Sequence, residues 1–102
     1  MKISKEYQFF KDKYGYGIHD LEFGGIIDIE YGGVIFKKDS ETWHRLDGPA
    51  YIGKNGFSQW FVNDLDVSEP ITEWTKEKNI DIDNLTDVDK LLIKLTWADY
   101  GK

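Results

Sequence analysis

The residues with the most chemical character stand together at positions 44–47. His44 and Asp47 are three residues apart, a spacing at which an imidazole and a carboxylate can orient each other for acid–base catalysis. No nucleophile pattern accompanies them, because the run GFSQW at 56–60 lacks the second glycine of a GxSxG turn. We therefore expect structural roles, with Asp47 in a turn and Arg45 bridging to a carboxylate or a carbonyl across the meander. An enzyme that uses His44 and Asp47 is the last of three functional hypotheses.

Metal and cofactor sites are not expected. The chain has no cysteine and two histidines, His19 and His44, which are too few for a specific ligand set. The acidic run DIDNLTDVD at 81–89 departs from a calcium loop at its fifth, sixth and twelfth positions, where Leu85, Thr86 and Leu92 stand. The sequence has no GxGxxG or P-loop pattern for a phosphate. We predict no catalytic residue, no metal and no cofactor.

The acidic residues are concentrated in one part of the chain. Residues 64–89 hold nine acids and two lysines, a local charge of −7, within a chain of net charge −6. Such a surface predicts docking onto a basic partner, for example a host protein groove built for nucleic acid. An ordinary solvated helical face is the alternative interpretation. The predicted partner-binding residues are Glu69, Glu73, Glu77, Asp81, Asp83 and Asp87.

Aromatic residues supply the second functional hypothesis, a small-ligand protein that binds or sequesters a nucleotide. The chain has four Trp, six Tyr and six Phe. A row of aromatic side chains on a sheet can stack a base, although such a row is also typical of a core covered by a helix. The predicted ligand-binding residues are His44, Arg45, Tyr51 and Trp60.

Three hairpin turns predict the sheet that would position these residues. Gly32-Gly33, Asp47-Gly48 and Asn55-Gly56 each lie between alternating or aromatic-rich runs, and the last two favour type I′ turns. The first turn would pair Tyr31 with Val34, Ile29 with Phe36 and Asp28 with Lys37. The other two would pair His44 with Tyr51, Tyr51 with Trp60, Trp43 with Ile52 and Arg45 with Ala50.

The segment WHRLDGPAYIGKNGFSQWFVND, residues 43–64, resembles the MORN-like short β-repeat of phage and giant-virus proteins. The similarity lies in one HRxDGPA string, an Asn-Gly turn and an aromatic-rich strand, and Asp64 stands where the repeat usually has glycine. The matching residues are His44, Arg45, Asp47, Gly48, Pro49, Ala50, Asn55, Gly56, Trp60, Phe61 and Asn63. The resemblance implies a β-meander and a viral source, and it implies no reaction.

Helical patterns lie at both ends of the chain. Residues 1–16 place Tyr7, Phe10 and Tyr14 on one helical face, and Gly15 and Gly17 end that helix. Near the C-terminus, Ser68 is the expected cap of a helix SEPITEWTKEKN with Pro70 in its first turn. Thr86 is the expected cap of a last helix, ended by Gly101, whose predicted core stripe against the sheet is Val88, Leu91, Leu92 and Leu95.

Together these patterns predict an α+β fold: a small antiparallel β-meander with a short N-terminal helix and two C-terminal helices on one face. The 102 residues form one domain, with the meander at about 18–66 and the helical part at about 68–100. No apolar run reaches the roughly 18 residues of a membrane span, and no signal peptide is recognised, so we expect a cytoplasmic protein.

The leading functional hypothesis is a small acidic phage-type accessory protein. It would bind and inhibit a host macromolecule without being an enzyme. Its expected partner is a host protein with a basic surface, in the host cytoplasm if a phage encodes the chain. Neither a membrane nor nucleic acid is expected as a direct partner, because the net charge opposes binding to phosphates.

Overall fold

A computed structural model describes residues 2–102 and has the predicted α+β architecture. The chain order is α1 (Lys5–Tyr14), β1 (Gly17–Asp20), β2 (Ile26–Ile29), β3 (Gly33–Lys37), β4 (Tyr51–Gly53), β5 (Ser58–Gln59), β6 (Phe61–Val62), β7 (Leu65–Asp66), α2 (Ser68–Glu77) and α3 (Asp87–Trp97). Strands β1 to β5 form an antiparallel meander, and β6 and β7 form a separate hairpin. No helix among residues 2–102 is long and apolar enough to cross a membrane.

Helix α1 confirms the helix predicted within residues 1–16. The Ser4 hydroxyl caps it by accepting from the Tyr7 amide, and Gly15 ends it with a φ of 81°, which glycine adopts most easily. The Tyr7 ring is buried, and its hydroxyl donates to the Glu30 carbonyl oxygen at 2.9 Å. This bond joins α1 to the end of β2, so the helix covers one face of the sheet.

The hairpin between β2 and β3 forms, but the predicted register is wrong by two residues. Its turn is centred on Tyr31 and Gly32, and Ile29 pairs with Val34 instead of Phe36. Gly33 belongs to β3, where it pairs with Gly53, and an added Cβ would lie 2.9 Å from the Ile52 carbonyl oxygen and 3.0 Å from the Tyr51 ring. A shift of two keeps every side chain on its predicted face, since the side chains of a strand alternate. Asp28 and Lys37 are therefore diagonal neighbours and still form an ion pair of 3.6 Å.

The predicted hairpin at Asp47-Gly48 is wrong. Residues 44–50 form a loop, and Gly48 does not have the positive φ that a type I′ turn needs. The loop is bonded on both sides: the His44 amide donates to the Phe36 carbonyl, and the Arg45 amide donates to the Phe61 carbonyl. It therefore connects the meander to the β6–β7 hairpin, and the predicted pairs of residues 43–45 with residues 50–52 do not form.

The Asn55-Gly56 hairpin tip is confirmed, with a different turn. Gly56 has a φ of 95°, but Asn55 is not in the left-handed region, and the Gly53 amide donates to the Phe57 carbonyl at 2.6 Å. The loop therefore has three residues instead of the two of a type I′ turn. Tyr51 pairs with Gln59 and not with Trp60, a shift of one residue that moves Trp60 to the other face.

Helix α2 begins at Ser68, one residue before the predicted start, with Val67 at the N-cap position. The Ser68 hydroxyl does not cap the helix, because it accepts from the Trp60 amide at 2.9 Å. Ile71 and Thr75 form the buried side of the helix. The Ser68 hydroxyl therefore bonds the start of α2 to Trp60, the residue between β5 and β6.

Helix α3 has the predicted cap and the opposite core face. Thr86 and Asp89 form a capping box, which confirms the predicted start. The predicted core stripe of Val88, Leu91, Leu92 and Leu95 is wrong, because all four side chains are exposed. The side chains that α3 buries are Ile93 and Trp97.

The core consists of two clusters. One lies between α1 and the meander, and its members are Tyr7, Ile27, Ile29, Val34, Phe36, Ala50 and Ile52. The other lies among the β6–β7 hairpin, α2 and α3, and its members are Trp60, Val62, Val67, Ile71, Ile93 and Trp97. The loop at 44–50 is bonded to elements of both clusters.

Candidate functional site

Arg45 is the centre of the loop at 44–50. Its Nε donates to Asp47 Oδ1 at 2.7 Å, and its Nη1 donates to the Pro49 carbonyl at 3.0 Å. The guanidinium carbon lies 4.0 Å from the centre of the Phe36 ring, a cation–π contact. Burial lowers the pKa of Arg45 and Asp47 opposes that change, but an arginine remains charged. Arg45 therefore bridges a carboxylate and a carbonyl as predicted, but both belong to its own loop and not to a strand across the meander.

The residues after Arg45 make room for it. A Cβ on Gly48 would lie 2.6 Å from the guanidinium carbon of Arg45. Pro49 presents its carbonyl, and Ala50 is fully buried in the meander cluster. The contacts of one guanidinium therefore account for Asp47, Gly48 and Pro49 after Arg45.

His44 and Asp47 have separate partners. The Nδ1 of His44 accepts from the Asn63 amide at 3.0 Å, so that nitrogen carries no proton. Burial lowers the pKa of His44 below its ordinary value of 6.5, and Lys38 and Lys102 lower it further. Asp47 bonds to Arg45 instead. The neutral imidazole therefore positions a turn, and no contact joins it to the Asp47 carboxylate.

Asn63 connects the turn between β6 and β7 to the end of α3, a role that the sequence did not predict. Asn63 and Asp64 have φ values of 50° and 70°, the pattern of the type I′ turn between β6 and β7. The Asn63 amide side chain donates to the carbonyls of Ala98 and Tyr100, beyond the end of α3. The signal in the sequence was the Asn-Asp pair, which also favours positive φ, although Asn-Gly is the stronger turn dipeptide.

The predicted aromatic row of His44, Tyr51 and Trp60 does not form. Trp60 is buried in the helical cluster, on the other face from Tyr51. Tyr51 instead stacks on Trp43, with ring centres 6.1 Å apart and planes at 11°. The structure therefore does not bring the four predicted ligand-binding residues into one site.

Three glutamates form a ridge along α2. Glu69, Glu73 and Glu77 are four residues apart, so they lie in one line on a helix of about 3.6 residues per turn. All three are exposed, on the side opposite the buried Ile71 and Thr75. We call these three residues the glutamate ridge.

The other predicted acidic residues lie in the α2–α3 loop and at the start of α3. Asp81, Asp83 and Asp87 are exposed. Asp81 accepts from the Asp83 amide and from the Asn84 side chain, so its carboxylate shapes the loop. The acidic set therefore divides into the glutamate ridge and a loop in which some carboxylates have local structural roles.

Two shallow clefts adjoin the Arg45 loop. The larger, about 420 Å³, lies between α1 and the α2–α3 loop and is lined by Phe10, Ile82 and Lys90, among others. The smaller, about 270 Å³, is lined by Phe23, Lys37, Lys38, His44 and Lys94, among others. The smaller cleft is thus locally basic although the chain is acidic.

No family model, curated protein or solved structure matches this chain. The similarity of residues 43–64 to the MORN-like repeat therefore stays a prediction. The contacts of Arg45 and Gly48 give this part of the segment a structural role.

The polar side chains of the Arg45 loop and those of the glutamate ridge differ in what they contact. Among residues 2–102, no group of three His, Cys, Asp or Glu side chains is placed to hold a metal ion. The polar side chains of the Arg45 loop bond to one another or to backbone groups. The glutamate ridge, in contrast, presents its carboxylates to solvent.

Proposed function

We propose that this protein is a non-enzymatic accessory protein that binds a basic surface of another macromolecule, a host protein if a phage encodes the chain. The observation that carries this proposal is the glutamate ridge on the outer side of α2. Binding would cover the partner's basic groove and so inhibit it. The electrostatic contact would mainly increase the association rate and the specificity.

The ridge has an energetic cost inside the domain. Each pair of like charges four residues apart on a helix destabilises it by about 0.2–0.5 kcal/mol. Among the described residues, Lys76 is the cation that forms an ion pair with the ridge, 3.9 Å from Glu73 and largely exposed. A cationic partner would relieve this repulsion, which supports a binding role.

The loop carboxylates extend the acidic surface beyond α2. The carboxylates of Asp83 and Asp87 form no hydrogen bond or ion pair with another side chain among residues 2–102, although the Asp83 amide donates to Asp81. Their charges contribute to the local charge of −7 of residues 64–89, and physiological salt screens exposed charges beyond about 8 Å. The proposed partner therefore needs several cationic side chains in a groove or on a helix.

Charge reversal tests the proposal. We would immobilise wild-type protein, capture a partner from host lysate, purify it and measure its association rate with wild-type protein and with Glu73→Lys/Glu77→Lys. We expect the double variant to associate at least about tenfold more slowly and with a weaker salt dependence. Its melting temperature should stay close to that of wild type, because the reversal turns the repulsion between positions 69 and 73 into attraction, removes the exposed Lys76–Glu73 ion pair and keeps a like-charge pair at positions 73 and 77.

The matched control is Glu22→Lys/Glu41→Lys. It changes the net charge by the same amount at two exposed positions outside the acidic segment. If both double variants slow association equally, net charge and not the ridge is responsible. If neither changes association or its salt dependence, the ridge is only a solvated surface and the proposal is wrong.

A second candidate function is the binding of a small anionic ligand such as a nucleotide. The observation that favours it is the smaller cleft, where Lys37, Lys38 and Lys94 lie beside the exposed ring of Phe23. Lysines suit phosphates, and an exposed aromatic ring suits a base. His44 and Arg45 also line this cleft, so two of the four predicted ligand residues belong to it.

A thermal shift with ADP separates the second candidate from the first. Ligand at 100 times its dissociation constant stabilises the folded state by about 2.7 kcal/mol, so the melting temperature should rise clearly. Lys38→Ala should reduce the rise, whereas Lys2→Ala, an exposed lysine outside the cleft, should leave it unchanged. Equal rises in all three proteins would place the ligand elsewhere, and no rise with ADP or inorganic phosphate would remove the candidate.

A further inference from the structure

Helix α3 is apolar on two opposite sides. One side is buried in the helical cluster through Ile93 and Trp97. The other side has apolar residues at spacings of three and four, which place them in one stripe on a helix. Their exposed fractions are 74% for Val88, 56% for Leu91, 40% for Leu92 and 75% for Leu95. We call this stripe the outer stripe, and large contiguous apolar patches are typical of interaction surfaces.

The charges beside the outer stripe are arranged by sign. With about 3.6 residues per turn, Asp87 and Lys94 fall on the same flank of the stripe, seven residues apart. The acid is at the N-terminal end of this flank and the base is towards the C-terminal end. The other flank carries Asp89, which is engaged in the capping box, and Thr96.

This order of charges is complementary to itself when a second helix runs in the opposite direction. If the crossing point lies between Leu91 and Leu92, Val88 faces Leu95 of the partner subunit. Asp87 then lies about two residues, or roughly 3 Å along the axis, from Lys94 of the partner subunit. The same contact repeats on the other side of the symmetry axis, as a two-fold interface requires.

A parallel arrangement of the two helices is less favourable. It would bring the flank with Asp87 against the flank with Asp89, so two carboxylates would meet at the N-terminal end. The macrodipoles of two parallel helices would also repel each other. The charges therefore select the antiparallel arrangement.

We propose that the outer stripe of α3 joins two copies of this chain in a symmetric antiparallel dimer. The contact is small, because α3 has 11 residues and so a length of about 16 Å. A stable interface usually buries roughly 800 Å² on each partner, so this dimer is weak and depends on concentration. It would present two copies of the glutamate ridge and so increase binding to a repetitive partner by avidity.

Sedimentation equilibrium of the full chain over about 10 µM to 1 mM tests the dimer. We expect the wild-type weight-average mass to rise with concentration towards twice 11.9 kDa. Leu91→Lys/Leu95→Lys should remain monomeric. Both positions are exposed, so the fold should persist, and circular dichroism checks it.

Ile18→Lys/Phe23→Lys is the matched control. It makes the same kind of change at two exposed apolar residues outside α3 and should associate like wild type. Wild-type protein that stays monomeric throughout this range would overturn the proposal. The outer stripe would then be a contact surface for a different protein. Loss of association in the control alone would place the dimer contact on the sheet instead.

A mixing experiment tests the antiparallel arrangement. Asp87→Lys alone and Lys94→Asp alone each create two like-charge pairs in the dimer, so each should associate more weakly than wild type. An equimolar mixture restores both opposite-charge pairs and should associate more strongly than either variant alone. A mixture that behaves as the average of its two components would refute the antiparallel contact, whatever the wild type does.

Discussion

Arg45 holds its loop through a combination of contacts that lysine does not offer. Its planar guanidinium donates in two directions, to Asp47 and to the Pro49 carbonyl, while its face lies on Phe36. A lysine ammonium is a compact charge without a flat face. The loop at 44–50 has no regular secondary structure, so these contacts replace a strand ladder in fixing its shape.

Gly48→Ala should destabilise the domain by about 1–3 kcal/mol, the usual cost of an added methyl group in a filled space. The added Cβ would meet the guanidinium of Arg45, which is held by two hydrogen bonds and cannot move freely. Urea denaturation measures the loss. Gly32→Ala is the control, because nothing lies within 4 Å of its added Cβ and its φ is not positive. Equal losses in both variants would contradict the role of Gly48.

His44 should make stability depend on pH. Its pKa in the folded state lies below 6.5, so just below pH 6.5 the unfolded chain binds more protons than the folded chain. The contribution of the neutral His44 imidazole to the free energy of unfolding is therefore complete above pH 6.5. It is lost as the pH falls towards the folded-state pKa. Denaturation midpoints between pH 8 and pH 5 measure this loss.

His44→Asn is the matched variant for this measurement. The Asn Oδ1 can accept from the Asn63 amide as the imidazole Nδ1 does, but it does not titrate in this range. We expect a smaller loss of stability between pH 7 and pH 5 in this variant. The two proteins differ at position 44 alone, so the difference between their pH profiles reports that position. Identical pH profiles would show that His44 is not the group responsible.

At the scale of elements, α3 shows which features of a helix can be predicted from a sequence pattern and which cannot. Its cap was predictable, because Thr86 and Asp89 act locally. Its core face was not, because both sides carry apolar residues and periodicity alone favours the side with more leucines. Ile93 and Trp97 are only two residues, but they are the ones that meet the β6–β7 hairpin and α2.

Ile93→Ala should cost about 2–5 kcal/mol of unfolding free energy, since Ile93 is fully buried. Leu92→Ala, the neighbouring substitution on the exposed side, should cost less than about 1 kcal/mol in the monomer. Both are compared by urea denaturation at a protein concentration that is too low for self-association. A larger loss for Leu92→Ala than for Ile93→Ala would show that the helix face predicted from the sequence is the buried one.

The two hairpin registers show how an error of one residue differs from an error of two. At β2–β3 the shift was two, so the predicted buried face survived and the Asp28–Lys37 ion pair still formed. At β4–β5 the shift was one, so Trp60 changed faces and the predicted aromatic row was lost. Turn dipeptides located both hairpins, but the close packing of Tyr51 on Gly33 is a long-range contact that they do not encode.

At the scale of the whole molecule, two small cores share one chain. The radius of gyration is 13.3 Å, near the roughly 13 Å typical of a folded domain of 100 residues. The fold class and the positions of the three helices before and after the meander were predictable, because each helix has its own local pattern. The division of the core into two clusters was not predictable. It depends on which backbone groups of the meander and of the β6–β7 hairpin bond to the loop at 44–50.

The two clusters should unfold together. The loop bonds to Phe36 on one side and to Phe61 on the other, and Asn63 joins His44 to the end of α3. Urea unfolding followed by tryptophan fluorescence reports mainly the helical cluster, which packs three of the four tryptophans. Amide signals of β2 in nuclear magnetic resonance report the meander. We expect coincident midpoints, as in a two-state transition, and two separate midpoints would contradict this.

Arg45 is the only arginine in a chain that has twelve lysines. Its side chain is 18% exposed and is held by hydrogen bonds to Asp47 and to the Pro49 carbonyl. A vicinal dicarbonyl reagent that modifies guanidinium groups therefore has one target in each molecule, and it reaches that target fully when the loop opens. The rate of modification is then a single-site chemical record of local opening in the native protein, obtained without any introduced label.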